Sequence, residues 1–389
     1  FKSGSSRITR SKKGTAKTTW KAIDAEIKAK LRGLGGKKLV VLTSSILSPS
    51  SQAVINDFKQ TYNAEQVVYE AISTSGIRLA NERSFGKKVV PSYDFAKAEV
   101  IVGFDCDFLG TWVSPIEFTK QYIKNRKVSV ESPKMSKHWQ FESRVTLAGG
   151  KADKRFTIKP SEEGIAVLAL HDALKGGGGN KLSNANAQKA ITKAALELKQ
   201  HQGKSLVVSG SNDANVQQVV NAINEMLGNY GQTIDLKTPY RIAQGDDKAM
   251  HTLVNNMNAG NVGGLIVFNV NPSYNYFDAA KFNSGLKKVG VTISFNDRID
   301  ETAAAGITYL CPDNHYLESW GDVEPKTGYY GLIQPTIAPL FDTRSAEESL
   351  LVWANKGGNY YDYVKAFWQQ NIFPKQKKHS SFQAFWDSA

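Results

Sequence analysis

The chain has 389 residues, of which 41% are hydrophobic and 22% are charged, as in ordinary globular proteins with well-formed cores. It contains no run of about 18 apolar residues and no apolar signal-peptide segment, so we expect no direct membrane span and no cleavable leader in it. Its two cysteines, Cys106 and Cys311, lie far apart without a CxxC or Cys/His pattern, which excludes an iron–sulfur cluster or structural zinc held by this segment alone.

The net charge of +13 is concentrated at the N-terminus. Residues 1–38 hold twelve Lys and Arg against Asp24 and Glu26. The composition of residues 1–20 predicts an extended basic arm, either solvated or laid over an acidic partner subunit rather than over this chain's own core. No nucleic-acid recognition motif follows the arm, so we expect no nucleic acid among the partners.

Residues 21–174 read as a first α/β domain, in which helical and apolar strand patterns alternate as in a parallel sheet. A piece that looks irregular or antiparallel follows at 137–160, and Ser161 with Glu163 and Gly164 predicts a capping box for the next helix. The predicted strands of this first domain are "KKLVVLTS", "EQVVYEAI" and "AEVIVGFD", and the predicted helices are "TWKAIDAEIKAKLRGLGG", "SPSSQAVINDFKQTY" and "TSGIRLANERSFG".

Residues 175–186, "KGGGGNKLSNAN", predict a flexible linker between two domains. Residues 187–311 then read as a second, Rossmann-like α/β domain, and 312–389 as a return segment that packs on the first domain. The predicted strands of the second domain are "KSLVVSG", "QTIDL", "GGLIVFNV", "GVTISF" and "GITYLC", with helices "DANVQQVVNAINEMLG" and "KAMHTLVNNMNAG" among them.

Three polar clusters are candidates for chemistry. Asp105 and Asp107 follow a predicted strand and suit either a metal or acid/base pair, or turn caps that accept backbone amides. His138, beside an aromatic residue, is more typical of a packed side chain than of a catalytic one. "LVVSGSNDANV" lacks the GxGxxG spacing of a dinucleotide site, and Asp213 in it is better placed to cap the following helix.

The stretch "PDNHYLESWGD", 312–322, places Asp313, His315, Glu318, Trp320 and Asp322 directly after an apolar strand. Active sites of α/β proteins lie in loops beyond the carboxyl ends of strands. The segment is therefore either a catalytic loop or the remnant of one.

Five long motifs occur in the chain in this order: "GKKVVPSYDFAKAEVIVGFDCDFLGTWVSPIEF", "MSKHWQFESRVTLAGGKADKRFTIKPSEEG", "MLGNYGQTI", "LVNNMNAGNVGGLIVFNVNPSYN" and "HYLESWGDVEPKTGYYGLIQPTIAPLFDTRSAEE". Together they resemble the molybdopterin oxidoreductase (DMSO reductase) superfamily, and more closely the molybdoenzyme-like half of the B subunit of bacterial alternative complex III. The resemblance runs from about residue 20 to 389 and implies an α/β fold with two parallel-sheet domains of the DMSO-reductase type.

Two departures from the catalytic relatives bear on the cofactor. Where those enzymes have a G-x-N pattern that holds pterin-nucleotide groups, this chain has Asp105, Cys106 and Asp107, whose carboxylates would repel a pyrophosphate. Where the relatives have a Gly/Arg nucleotide-binding stretch after the 312–322 loop, it has Lys326 and aromatic residues. The resemblance therefore implies no catalytic, cofactor-binding or metal-binding residue in this segment.

The resemblance implies a non-catalytic scaffold in a quinol-oxidising respiratory complex, peripheral on the periplasmic face of the bacterial inner membrane. Its expected partners are an iron–sulfur half of the same subunit, which carries the clusters and is absent from this chain, haem-c subunits and integral-membrane quinol-binding subunits. On this interpretation Trp320 and Tyr316 supply buried area, Glu318 and Asp322 form local hydrogen bonds, and the 312–322 loop holds domains together.

The alternative is a fragment of an active molybdopterin oxidoreductase large subunit, similar to polysulfide or tetrathionate reductases. The start at Phe1 and the end within the aromatic pattern "SSFQAFWDSA" lead us to expect, on either interpretation, a segment of a longer polypeptide.

Overall fold

The computed structural model describes residues 7–131 and 133–389, which form two units. The discontinuous unit comprises the described residues up to Ser73 together with Ala243–Ala389, and the continuous unit comprises Thr74–Ile242. None of the described helices is long and apolar enough to cross a membrane. The fold is mixed α/β with parallel sheets, as the sequence predicts.

The helices and strands follow one another along the chain in three stretches. The first part of the discontinuous unit holds β1 (Lys12–Lys13), β2 (Ala16–Lys17), α1 (Trp20–Arg32), β3 (Lys38–Thr43), α2 (Pro49–Tyr62) and β4 (Glu65–Val68). The continuous unit holds α3 (Ser75–Phe85), β5 (Val90–Tyr93), β6 (Val100–Phe104), α4 (Pro115–Lys124), β7 (Lys137–Glu142), α5 (Leu147–Lys151), β8 (Lys154–Thr157), α6 (Glu163–Lys175), α7 (Ala185–Gln200), β9 (Ser205–Ser209), α8 (Ala214–Met226) and β10 (Ile234–Tyr240). The second part of the discontinuous unit holds α9 (Asp247–Asn258), β11 (Val262–Phe268), α10 (Pro272–Asn275), α11 (Ala279–Leu286), β12 (Val291–Ser294), α12 (Glu301–Ala304), β13 (Tyr309–Leu310), β14 (Gly321–Lys326), β15 (Tyr329–Ile333), α13 (Ala346–Trp353), α14 (Tyr360–Asn371) and α15 (Phe382–Ser388).

The discontinuous unit is built on a seven-stranded sheet of order β2-β1-β13-β12-β11-β3-β4. The five strands from β13 to β4 are parallel, and the β1–β2 hairpin extends the sheet antiparallel to β13. These strands read as continuous apolar runs because helices cover both faces of the sheet. Helices α1, α2, α13 and α14 bury one face, and α9 and α11 bury the other.

The continuous unit has a four-stranded parallel sheet of order β8-β7-β6-β9. Helices α6, α7 and α8 cover one face, where Phe104, Phe141 and Ile191 are fully buried. A separate core on the other face contains Phe95, Phe108 and Phe118 together with the antiparallel pair β5–β10.

The predicted domain boundary differs from the observed one. Residues 175–186 connect α6 to α7 inside the continuous unit, and both helices share one hydrophobic core. Gly176 ends α6 at a φ of 80°, and Asn184 caps α7 with its side chain. The glycine run therefore ends a helix and forms a turn. Glycine is common at helix ends and in turns as well as in flexible linkers, so the residue pattern alone did not distinguish them.

The strand partners also differ from the predicted halves. β3 of the predicted first domain pairs with β11 of the predicted second, and β4 lies on the other side of β3 in the same sheet. β9 of the second pairs with β6 of the first. Parallel neighbours need crossover connections, so adjacency along the chain does not decide which strands pair. The segment 312–389 belongs to the discontinuous unit and packs there against α1 and α2.

Within the predicted basic arm, residues 1–6 lie outside the described residues, and residues 7–17 pack on this chain itself. Ile8 and Ser11 are buried, and β1 pairs with β13. This differs from an extended arm held by another subunit, because alternate residues such as Ile8 point into the core while the lysines face outward.

Two local predictions near residues 137–164 are wrong. β7 and β8 are parallel neighbours connected through α5, so the segment is a further crossover unit and not an antiparallel piece. Helix α6 follows a short 3-10 turn, Pro160–Glu162, and has no side-chain cap from Ser161. The proline places a tight turn where the capping box was expected.

Candidate functional site

A cavity of about 1020 Å³ lies in the discontinuous unit at the carboxyl ends of its parallel strands. Loops that follow β3, β4, β11, β12 and β13 all line it. The strand order reverses between β3 and β11, and α/β proteins bind ligands at such a switch point. The 312–322 loop runs along one wall of this cavity.

A carboxylate of that loop occupies the N-terminus of α2. Asp322 Oδ1 accepts hydrogen bonds from the backbone N of Ser50 (3.3 Å) and from its Oγ (2.7 Å), and it also accepts one from Ser48 Oγ. Ser48 is the N-cap residue of α2, and Asp322 is only 2% exposed. The first helix after the first parallel strand is where this fold usually holds a phosphate, because its N-terminus offers N–H groups and a positive dipole end.

The other oxygen of Asp322 is also bound. Asp322 Oδ2 accepts a hydrogen bond from Trp368 Nε1 at 2.8 Å, and Trp368 is buried. Asp322 therefore ties α2 to α14, two elements that are far apart in the sequence.

A hydroxyl network extends from this point into the cavity wall. The hydroxyl of Tyr360 lies 2.8 Å from Ser50 Oγ and 2.7 Å from Ser51 Oγ, and Ser51 donates to Glu347 Oε1 at 2.6 Å. Burial raises the pKa of Glu347, and the neighbouring Glu348 and Asp322 raise it further. The network gives every polar group at the start of α2 a partner within the chain.

Asp313 fills a second helix N-terminus on the same wall. Its Oδ1 accepts a hydrogen bond from the backbone N of Ala346 (3.0 Å), the first residue of α13. Burial raises the pKa of Asp313 well above its usual range, and the nearby Glu347 carboxylate raises it further. The N-termini of α2 and α13, which face the cavity, are thus held by the protein's own carboxylates.

Glu318 binds the N-terminal segment. Arg7 Nη1 and Nη2 donate to its two carboxylate oxygens, both at 2.8 Å, and the Glu318 side chain is fully buried. The hydrogen bonds from Arg7, aided by backbone amides, lower the pKa of Glu318 to about 2 despite its burial. His315 is part of the same turn: its backbone N donates to Glu318 Oε2, and its Nδ1 accepts from the Leu317 N–H.

The roles predicted for the aromatic residues are partly corrected. Trp320 is half-buried and its ring packs against Tyr361, at a centroid distance of 4.7 Å, and against Trp386. Tyr316 is 69% exposed and supplies no buried area. Glu318 accepts one local hydrogen bond, from His315 N, as predicted. Its bonds from Arg7 and those of Asp322 are long-range, and they join elements within one unit.

The switch point of the continuous unit is closed by close backbone contact. A Cβ at Gly210, just after β9, would overlap the carbonyl oxygen of Asp105, just after β6. Asp105 accepts hydrogen bonds from Ser143, and Asp107 Oδ1 accepts one from the backbone N of Ala148 (3.0 Å). These contacts are those of turn caps, as the structural interpretation predicts.

The other residues singled out from the sequence are buried in the core or cap a helix. His138 is fully buried between Tyr122 and Gln140, and this burial lowers its pKa to about 4. Asp213 caps α8. Cys106 and Cys311 are buried free thiols whose pKa values are raised by burial. In the part of the chain that the structure describes, no group of three or more His, Cys, Asp or Glu side chains is arranged to hold a metal ion.

No family model matches the chain. Among curated proteins it is similar to the menaquinone reductase, molybdopterin-binding-like subunit of Nitratidesulfovibrio vulgaris, with 31% identity over 112 residues. The aligned region covers 26% of this chain and 16% of that subunit. Over this region the chain is similar to a molybdopterin oxidoreductase-like protein.

The fold is similar to those of solved structures. Acetylene hydratase from Pelobacter acetylenicus matches 91% of this chain with a TM-score of 0.66 and 12% identity, and the match covers 62% of that enzyme. The formyltransferase/hydrolase complex of Methylorubrum extorquens matches 89% with a TM-score of 0.57 and 12% identity. The chain thus spans less than two thirds of the first two relatives' lengths.

The residues at the cavity do not fit a pterin nucleotide. Its lining includes six carboxylate residues, Glu70, Asp297, Asp300, Asp313, Asp322 and Glu347, against the basic residues Arg298 and His315. A pyrophosphate is an anion that needs N–H donors and cations around it. At the start of α2 those donors already serve Asp322, so a phosphate there would lie against a buried carboxylate.

Sequence reasoning found Asp322 but missed the groups it binds. Ser48 and Ser50 lie 274 and 272 positions away and Trp368 lies 46 positions away, and only the fold brings them together. The one available signal was the serine-rich start of α2, "SPSSQ", which resembles a cap and also suits an anion site.

Proposed function

We propose that this chain is a cofactor-free, molybdoenzyme-like structural part of a quinone-linked respiratory electron-transfer complex. The observation that carries the proposal is Asp322, a carboxylate of the chain itself at the α2 N-terminus where a phosphate would bind. The similarity to a menaquinone reductase subunit supports the respiratory assignment.

The finer assignment is to the B subunit of alternative complex III, or to a subunit that resembles it. It rests on the ordered motifs of the sequence. On this proposal the partners are an iron–sulfur half of the same subunit, haem-c subunits and integral-membrane quinol-binding subunits at the periplasmic face of the inner membrane. The chain's own contribution is to hold a rigid surface for them, through buried networks such as Asp322–Ser50–Tyr360.

The experiment replaces the cavity's acid/base candidate in the native complex. His315→Gln removes the imidazole ring that lines the cavity, and His251→Gln, at an exposed position on α9 away from the cavity lining, is the matched control. We expect quinol-oxidation turnover per intact complex to stay within about twofold for both, because a general acid or base would contribute about 10²–10⁴-fold. A loss of about 100-fold in His315→Gln alone, with normal assembly, would favour an active molybdopterin oxidoreductase.

A further inference from the structure

The outer side of α4 in the continuous unit carries apolar side chains that face solvent. The helix buries Phe118 and Tyr122 in the core of that unit. On the opposite side, Ile116 is 88% exposed and Ile123 is 53% exposed. The two isoleucines are seven positions apart in the sequence, so they lie on one stripe of the helix. Because the other face of α4 already packs on the core, core packing does not explain these two isoleucines.

The loop directly after α4 adds to this apolar stripe. Ser136 N donates to Asn125 O at 3.0 Å, so the chain that leaves the end of the helix returns to it at Ser136. The described residues of the loop, 127–131 and 133–135, expose three further apolar side chains, those of Val128, Val130 and Met135. Single exposed apolar residues are normal on a protein, but five on one short helix and its loop indicate an interaction surface. We call this helix stripe and the described loop residues the α4 surface.

Lysines alternate with the apolar side chains of the α4 surface. Lys120 and Lys127 continue the stripe of the isoleucines at steps of three and four positions. Lys127 N donates to Ile123 O at 2.9 Å, as in a further helical turn. Lys124 and Lys134 are exposed as well. None of the four lysines forms an ion pair with a described residue, so their charges are available to a partner.

The nearby carboxylates leave most of this positive charge uncompensated. Glu117 of α4 faces the core side, where its Oε2 accepts a hydrogen bond from the Tyr240 hydroxyl at 2.6 Å. Asp153, near the base of the loop, accepts hydrogen bonds from both Nη atoms of Arg126, at 2.9 and 2.8 Å. Glu131 is the one carboxylate in the described part of the loop. The α4 surface therefore presents four lysines against one glutamate.

The composition of the α4 surface suits an anionic lipid bilayer better than a protein. Protein interfaces are enriched in aromatic residues and arginine and are depleted in lysine. Among the described residues of this surface, the exposed apolar side chains are those of Ile, Val and Met, the free cations are lysines, and Arg126 is bound to Asp153. Apolar side chains that enter the headgroup region beside lysines are typical of segments that bind the membrane surface.

We propose that the α4 surface is a docking site for an anionic lipid bilayer. Ile116, Ile123, Val128 and Val130 enter the headgroup region, and the four lysines bind lipid phosphates. The lysines supply an attraction that salt screens, and the apolar side chains supply an insertion that salt does not weaken. The contact is peripheral, and it rests on the α4 surface and not on the respiratory assignment.

The test measures co-sedimentation of the full chain with two kinds of vesicle, phosphatidylcholine alone and an equimolar mixture of phosphatidylcholine and phosphatidylglycerol. Lys124→Ala/Lys127→Ala removes two of the charges, and Ile123→Ser removes one of the apolar contacts. Leu196→Ser is the matched control for Ile123→Ser, because Leu196 is 58% exposed and lies on α7, which covers the opposite face of the same sheet. Every substituted side chain is exposed, and circular dichroism confirms that each variant is folded.

We expect the wild type to bind the mixed vesicles and not the neutral ones, and the binding to weaken as salt is added. Lys124→Ala/Lys127→Ala should lower the partition coefficient about 30-fold, which corresponds to about 1 kcal/mol for each lysine. Ile123→Ser should lower it about tenfold, since it removes most of one apolar side chain from the bilayer. Leu196→Ser should bind as the wild type does.

Three results would overturn the proposal: equal binding to both kinds of vesicle, equal losses in Ile123→Ser and Leu196→Ser, or no binding to the mixed vesicles. Amide hydrogen exchange of the detergent-solubilised native complex distinguishes the remaining occupant. Protection of residues 123–131 in that complex, without vesicle binding by the chain, would assign the α4 surface to a partner protein.

Discussion

Replacing Asp322 with Ala should be among the most damaging single changes in the discontinuous unit. The substitution leaves the buried Trp368 Nε1–H and the Ser50 N–H without the acceptor that they now share. The serine hydroxyls keep Tyr360 as a partner, so their loss is smaller. A hydrogen bond to a charged group contributes about 1.5–3 kcal/mol, and a carboxylate at a helix N-terminus about 0.3–1 kcal/mol. We therefore expect the free energy of unfolding to fall by about 3–5 kcal/mol.

Two further variants separate the causes of this loss. Asp322→Asn keeps an oxygen for Ser50 but presents an NH₂ group to Trp368 Nε1–H, so it should cost less than Ala and still more than about 1 kcal/mol. Asp342→Ala is the matched control, because Asp342 is 46% exposed and its ion pair with Arg10 is at the surface. Such pairs contribute about 0–1 kcal/mol.

The assay is urea unfolding followed by tryptophan fluorescence, with amide hydrogen exchange across α2 as a local measurement. The predicted result is a lower unfolding midpoint in Asp322→Ala and faster exchange in the first turn of α2. An Asp322→Ala variant that unfolds within about 1 kcal/mol of Asp342→Ala would refute the reasoning, since Asp322 would then not be the anchor of α2.

Three other predictions follow from the same wall of the cavity. Hydrogen bonds from Arg7 hold the pKa of Glu318 at about 2, below its unfolded value of about 4.3. The stabilisation from the Arg7–Glu318 pair is therefore present above pH 4.3 and is lost as the pH falls toward 2. Arg7→Ala should reduce the fall in Tm over this pH range in a plot of Tm against pH. An unchanged fall in Tm would contradict the role given to the pair. Burial raises the pKa of Asp313, so its ionisation costs stability as the pH rises. Asp313→Asn should raise Tm more at pH 8 than at pH 5, and an equal shift at both would count against it. Trp320→Ala should cost about 3 kcal/mol, measured by urea unfolding, whereas the exposed Tyr316→Ala should change stability by less than about 0.5 kcal/mol.

Local structure was predictable from the sequence where a parallel strand is an apolar run or a longer helix has a periodic apolar face. "GGLIVFNV" and "KKLVVLTS" became β11 and β3 as predicted. Their pairing was not predictable, since a parallel neighbour is chosen by packing across the whole sheet and not by separation along the chain. The glycine run at 176–179 misled for a related reason: its residues serve a helix end as well as a linker.

The candidate site shows the same limit. The 312–322 loop was predictable as a strand-end loop rich in polar groups, but the partners of its carboxylates were not. Asp322 binds Ser50 at the start of α2, and Glu318 binds Arg7, 311 positions away. Such contacts exist only once the sheet has formed, so sequence spacing carries no trace of them. That Tyr316 is exposed while Trp320 is packed depends likewise on which side of one short turn faces Trp386.

The central claim is that the chain's own carboxylates occupy the positions at which a pterin nucleotide would be held. Molybdenum and pterin content of the complex purified from its native membranes tests this most directly, with molybdenum determined by elemental mass spectrometry and pterin by fluorescence after oxidative release. Iron, which the proposed partner subunits would carry, serves as the internal measure of complex recovered. The account predicts molybdenum and pterin far below one per complex, and one of each per complex would contradict it.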